Sequence, residues 1–198
     1  MLLTSLPLIF GERLSLQEGG SKTLEALERR YQVVPIAIAD PETFKQGPIL
    51  FMAHARAQPA ENLVALDAWV RGGGRLLLLA DPMLEWHSQR PLGDRMRPSP
   101  MFPDTGLLAH WGLRLDAPDE RGAASRRLGN REVLAVSPGS LSGNCLIGSD
   151  GFVADCRIGK GRAVVVADAD FLDVDEAGGS TERNLDALLA QLARLEQK

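Results

Sequence analysis

Two unbroken apolar runs, Ile49 to Ala53 and Leu76 to Ala80, flank one helix-length segment. A strand with one face in water alternates apolar and polar side chains. A run without alternation is covered on both faces, as in a parallel sheet. No other feature of the chain narrows its fold so far. The segment between the runs has helical spacing, with Leu63, Leu66 and Val70 as its apolar stripe. Pro59 suits the first helical position and Gly72 follows as a C-terminal stop.

The pattern extends in both directions. Leu6 to Phe10 and Val33 to Ala37 are further short apolar runs, read as strands. Between them Ser21 is placed to cap a helix with Leu24, Leu27 and Tyr31 on one face. A short helix is expected near Thr105 to Trp111, and residues 116 to 130 read as a charged loop. Glu132 to Val136 and Phe152 to Ile158 read as strands, and Gly159-Lys160-Gly161 as a tight turn into Ala163 to Ala167. Ser180 would cap a last helix carrying Leu185, Leu188, Leu189, Leu192 and Leu195. The expectation is one α/β domain over residues 1–198: a three-layer, open, mainly parallel sheet with helices on both faces. An antiparallel hairpin sits near its C-terminus.

From His87 to Pro103 the texture changes to a proline-rich stretch with no period, an insertion loop whose Arg90, Arg95 and Arg97 make it a candidate contact surface.

Composition excludes some classes. With 22 basic and 26 acidic residues the formal charge is −4, which argues against a general nucleic-acid binder. The opening MLLTSLPLIF is too short to span a bilayer and lacks the charged start of a signal peptide. Cys145 and Cys156 fit one disulfide outside the cytosol or two free thiols, so the compartment stays open between cytoplasmic and extracytoplasmic. No CxxC or zinc-type spacing occurs, and the sequence calls for no metal and no cofactor.

Open α/β sheets bind ligands outside the carboxyl ends of their strands. That rule nominates a rim of His54, Arg56, Asp81, Asp168 and Asp170, with Gly11 and Glu12 after the first run. Acyl-transfer chemistry needs a thiol or hydroxyl on a sharp strand-to-helix turn, but Leu76 to Ala80 delivers Asp81-Pro82, and no GxSxG occurs. The acidic stretch Asp168, Asp170, Asp173, Asp175 and Glu176 lacks EF-hand spacing and reads first as a solvated turn before a helix. Gly72-Gly73-Gly74 ends a helix and begins a strand, the reverse of a phosphate loop.

Three segments, LTSLPLIFGE, LVALDAWVRGGGRLLLLADPML and GKGRAVVVADADFLDV, together resemble the soluble domain of auxiliary proteins of uncharacterised and gliding-type ABC transport systems. The resemblance implies a flavodoxin-like, class I glutamine amidotransferase-like fold in which Asp81-Pro82 stands where the catalytic cysteine would be. It further implies a non-catalytic accessory domain, not an enzyme, with ABC membrane and ATPase subunits as partners. The competing expectation is a small-ligand or metal-binding enzyme that uses the carboxylates of the rim.

Overall fold

The computed structural model describes residues 1–10, 20–173 and 181–197. Four parallel strands, β1 (Leu2–Thr4), β2 (Ile49–Ala53), β3 (Arg75–Leu79) and β10 (Gly161–Val166), run from one edge of a six-stranded sheet. β9 (Val153–Ile158) and β8 (Leu146–Ile147) extend it antiparallel beyond β10. The order is β1-β2-β3-β10-β9-β8. A mixed α/β architecture with a mainly parallel sheet and antiparallel hairpins is therefore what the sequence builds.

β3 shows why its run does not alternate. Leu77 and Leu79 pack toward α1 (Lys22–Glu28) and α4 (Thr181–Glu196), while Leu76 and Leu78 pack toward α2 (Ala60–Arg71) and α3 (Leu107–His110). All four are fully buried. Each contributes about 2 kcal/mol by leaving water, so the central strand is a main anchor of both cores.

The helix ends obey local chemistry. Ser21 Oγ accepts the Leu24 N–H at 3.1 Å, as expected of its capping position. Pro59 is the N-cap of α2, one place earlier than expected, and Gly72 closes its other end. Gly159 turns the β9–β10 hairpin at φ 60°. Gly161 is required because a Cβ there would lie 1.9 Å from the Val70 carbonyl oxygen.

Three sequence expectations are corrected. The first strand is Leu2–Thr4, and residues 6–10 form turns in which Leu6 and Leu8 are buried but Phe10 is exposed. Pro7, with no N–H, cannot carry a ladder through that run. Residues 33–37 meet β1 only at an isolated bridge between Leu2 and Pro35. Val34 and Ile36 supply its two hydrogen bonds, each 2.9 Å, and Pro35 has no donor to extend them. Residues 123–128, read as loop, are β5 (Ala123–Leu128), paired antiparallel with β6 (Arg131–Val136). Ser180 and its expected cap lie outside the described residues.

A further pair, β4 (Leu113–Asp116) and β7 (Ser140–Gly143), lies beside the sheet. Cys145 and Cys156 form a disulfide that ties the lead into β8 to β9. Asn184 of α4 joins the small hairpin to the body. Its side chain accepts the Leu134 N–H and donates to the carbonyls of Leu134 and Phe171, each at 2.9 Å. Among the described residues no helix is long and apolar enough to cross a membrane.

Candidate functional site

β2, β3 and β10 end level with one another, so His54, Asp81 and Asp168 follow them onto one edge of the sheet. All three are fully buried. Their side chains serve two separate networks.

His54 stands at the end of β2 with φ 46°, a left-handed conformation uncommon for a non-glycine residue. Its backbone N–H donates to the Leu79 carbonyl at 3.0 Å, and its carbonyl accepts the Ser5 hydroxyl. Ring Nε2 lies 2.9 Å from the Ser99 carbonyl. A carbonyl only accepts, so Nε2 carries the proton. Nδ1 is then an acceptor, buried with no partner among the described residues. Burial holds the ring below its usual pKa, partly opposed by the Ser99 bond. His54 thus joins β2 to the proline-rich loop.

The loop arginines turn largely inward. Arg97 donates to the carbonyls of Ser88 and Arg90, Arg90 lies 3.8 Å from Asp94, and Arg56 reaches across to the carbonyl of Arg95. Arg95 itself is exposed, close in sequence to exposed Leu92, Met96 and Met101.

The carboxylates form the second network. Asp81 Oδ1 accepts the Met83 N–H and Oδ2 the Ala169 N–H, both at 2.8 Å. Asp168 accepts from Phe171 at 2.9 Å and Val136 at 3.0 Å. Asp170 Oδ2 accepts from Glu85 at 2.7 Å, while its buried Oδ1 has no partner among the described residues. Burial raises all three pKa values, and backbone donors oppose it. Asp81 reaches about 6 and Asp170 about 8, and Asp168 is pushed well above the usual carboxylate range. The charge of Asp81 raises both of the others.

Two further residues, unmarked in the sequence, complete this network. Ser137, at φ 47°, donates its hydroxyl to Glu85 at 2.5 Å and accepts the Gly122 N–H at 2.9 Å. The structure therefore gathers Asp81, Asp168 and Asp170 with Glu85, and places His54 and Arg56 in a different network. Among the described residues no group of three His, Cys, Asp or Glu side chains is arranged to hold a metal ion. Gly11, Glu12, Asp175 and Glu176 lie outside the described residues.

A cleft of about 460 Å³ opens against this edge, lined by Asp119, Glu120, Arg121, Arg126, Ser140 and Asp150 among others. Its floor is fixed to the rim: the Gly139 N–H donates to the Ala167 carbonyl at 2.8 Å. A Cβ at Gly139 would stand 2.4 Å from Pro82 and 2.6 Å from the Asp116 carbonyl oxygen, so only glycine lets the chains approach. Arg126 was hidden in the stretch read as loop. AASRRL has no apolar alternation in its sequence, so nothing there marked it as a strand. A second cavity, about 350 Å³ and more apolar, lies at the amino edge among Leu27, Tyr31, Phe51 and Leu192.

No family model matches the sequence, and no curated protein matches it either. Solved structures do share the fold. An exo-β-1,4-mannosidase from Opitutaceae bacterium strain TAV5 superposes with a TM-score of 0.56 at 15% identity, over 97% of this chain and 36% of that one. A β-galactosidase from Bacillus circulans sp. alkalophilus gives 0.52 at 15% identity, over 88% and 26%. A cytoplasmic protein from Salmonella typhimurium gives 0.53 at 12% identity, over 88% and 87%. The chain thus spans about a third or less of the glycosidases it resembles. Its sheet ends in β1 and β8 and does not close, so the shared part is an open α/β unit and not an eight-stranded barrel.

These likenesses correct the sequence reading. The glycoside hydrolases among the structures that share the fold replace the expected auxiliary proteins of ABC transport systems, and the expected non-catalytic accessory role falls with that resemblance. Its three segments consist of turn glycines, apolar strands and an acidic strand end, which hold together any open α/β sheet. The expectation that the chain is not an enzyme is corrected on the same finding. A missing cysteine at Asp81 excludes thiol chemistry only, whereas glycoside hydrolysis works through carboxylates.

Proposed function

We propose that this chain is a carbohydrate-processing α/β unit that contacts saccharide through the polar cleft at the carboxyl edge of its sheet. One observation carries the reading: the cleft opens on the ligand-binding edge of a fold shared with a mannosidase and a β-galactosidase. Its lining suits the ligand, since Asp119, Glu120 and Asp150 accept hydroxyl protons while Arg121 and Arg126 donate. Carboxylates in such a cleft are also the groups that glycoside hydrolysis uses in pairs.

Counting residues 33–37 as a strand outside β1 would give the parallel part the order 2-1-3-4-5, and we propose this flavodoxin-like arrangement for the fold. The bridge at Pro35 supports counting that segment as the second strand.

Titration of the isotope-labelled chain with mannose- and galactose-containing oligosaccharides tests the proposal, together with assays on aryl β-mannosides and β-galactosides. Chemical-shift changes should fall on residues 117–126, 138–140 and 150. Absence of both binding and hydrolysis at millimolar saccharide would overturn it.

A further inference from the structure

The proline-rich loop is held over the ends of β2 and β3 by polar contacts more than by packing. Its base is tied through the backbone: the Leu84 N–H donates to the Pro100 carbonyl at 2.9 Å and the Phe102 N–H to the Asp81 carbonyl at 2.6 Å. Between those ties, Leu92 and Met96 are exposed and join neither core. A segment with so few buried apolar contacts opens easily. Two side chains reach it from the end of β2. Arg56 donates to the Arg95 carbonyl, and the fully buried ring of His54 donates from Nε2 to the Ser99 carbonyl at 2.9 Å. Arginine keeps its charge at every pH of interest, so only the histidine link can titrate.

The ring can hold the loop in one protonation state only. Nε2 already carries a proton, and Nδ1 is buried with no partner among the described residues. A second proton would leave an imidazolium away from solvent with no acceptor for its Nδ1–H. No neighbouring carboxylate compensates it. Ser5 meets the His54 carbonyl, Phe102 lies at the ring edge and Arg56 turns to Arg95. Asp81, on the next strand, gives its two oxygens to the N–H groups of Met83 and Ala169. Burial and the Ser99 bond act on the ring, and no charged group is among its influences. To take a proton the ring must reach water, which requires the segment above it to lift.

We infer that His54 is an acid-sensitive latch: the neutral ring holds residues 87–99 against the carboxyl edge of the sheet, and the imidazolium releases them. Release uncovers the ends of β2 and β3, where open α/β sheets take their ligands. The latch does not depend on what the adjoining cleft binds. The base of the loop responds the other way. Asp81 and Asp170, with Glu85, Asp168 and Asp173 acting on them or beside them, hold more protons folded than unfolded and tighten as pH falls. Acid release is therefore confined to the segment above His54.

Hydrogen exchange of the full chain at pH 7.5 and pH 5.5, corrected for intrinsic rates, tests the latch. Protection of residues 87–99 should fall by about tenfold, the most that one group with an open-state pKa of about 6.5 permits over that interval. Residues 83–86 and β3 should hold or gain protection, the reverse of a global loss. His54→Gln keeps an amide donor on the side chain but cannot titrate, and it should abolish the acid response. Unchanged or rising protection of residues 87–99 in the unmodified chain overturns the latch, and that readout needs no variant. An equal loss in β3 overturns it as well, and so does an acid response that persists in His54→Gln.

Discussion

Asp170 reaches across the carboxyl edge to the backbone of Glu85: its Oδ2 accepts that N–H at 2.7 Å, while buried Oδ1 has no donor among the described residues. A proton on Oδ1 removes an unsolvated charge, which fits the rise of this group to about 8. The rise has a definite consequence for stability. Asp81, Asp168 and Asp170 all bind protons more readily folded than unfolded. Their contribution is complete below about pH 4, the unfolded carboxylate value, and is lost as pH rises. The loss passes through about 6 for Asp81 and about 8 for Asp170. His54, held below its usual value, has the opposite sign: it contributes at high pH and loses that contribution as pH falls. The unfolding midpoint should therefore fall between about pH 6 and pH 9, and Asp170→Asn should flatten that fall. A midpoint that climbs across this range would contradict protonated carboxyls in the network.

Asp81 separates geometry from charge. Its two oxygens satisfy the half-buried N–H of Met83 and the buried N–H of Ala169. Asp81→Ala leaves both donors bare and should cost about 2–4 kcal/mol, from about 1–3 kcal/mol for the buried Ala169 group and less for the half-buried Met83 group. Asp81→Asn keeps one acceptor and should cost less than half as much. Urea denaturation of the pair measures this, and equal losses would mean that the two hydrogen bonds contribute little.

Much of this arrangement was legible in the sequence, and its limits are physical. The runs at 49–53 and 76–80 could only be strands covered on both faces, so β2 and β3 followed, and with them the edge that carries His54, Asp81 and Asp168. Ser21 and Gly159 were legible because a cap and a turn are local. What escaped was tertiary. Nothing near Asn184 in the sequence reveals that it would hydrogen-bond to β6. The backbone amides that satisfy Asp168 come from residues 136 and 171, so its burial could not be told from an exposed acidic turn. β5, built from Ala, Ser and Arg with Leu128 as its one large apolar residue, carries too little apolar signal to show as a strand. The family resemblance failed for a related reason, since its motifs encode sheet construction and say little about a site.

His54 should control the proline-rich loop. Its ring N–H holds the Ser99 carbonyl, and its ring lies edge-on to Phe102 with centroids 6.3 Å apart. His54→Ala removes both contacts and keeps the strained backbone. Hydrogen exchange should then accelerate at residues 88–102 and stay slow in β3. Uniform acceleration of both would show global destabilisation instead of local release.

The Cys145–Cys156 bond closes a short loop, with a sequence separation of 11, at the sheet edge where β8 contributes only two residues. Loop-closure entropy for that separation is worth about 3 kcal/mol. Reduction should lower the unfolding midpoint by several degrees and expose Leu146 and Ile147 to exchange before β10. An unchanged midpoint after confirmed reduction would show that pairing to β9 alone holds this edge.

Asn184 offers the cleanest test of how the small hairpin is held. Its side chain presents one acceptor to the Leu134 N–H and two donors to the carbonyls of Leu134 and Phe171, and it is fully buried. Asn184→Asp keeps the size but replaces both donors with oxygen, so two carbonyls face a carboxyl group that can donate at most one proton. Asn184→Leu keeps the volume and removes every polar partner. Both variants should be destabilised by about 2–4 kcal/mol, set by the unpaired groups left behind. The aspartate variant should recover partly at low pH, where its carboxyl regains one donor, and the leucine variant should not. Chemical denaturation of both at pH 5 and pH 8 measures the difference. Matching pH responses would show that packing, and not hydrogen bonding, fixes β6 to α4.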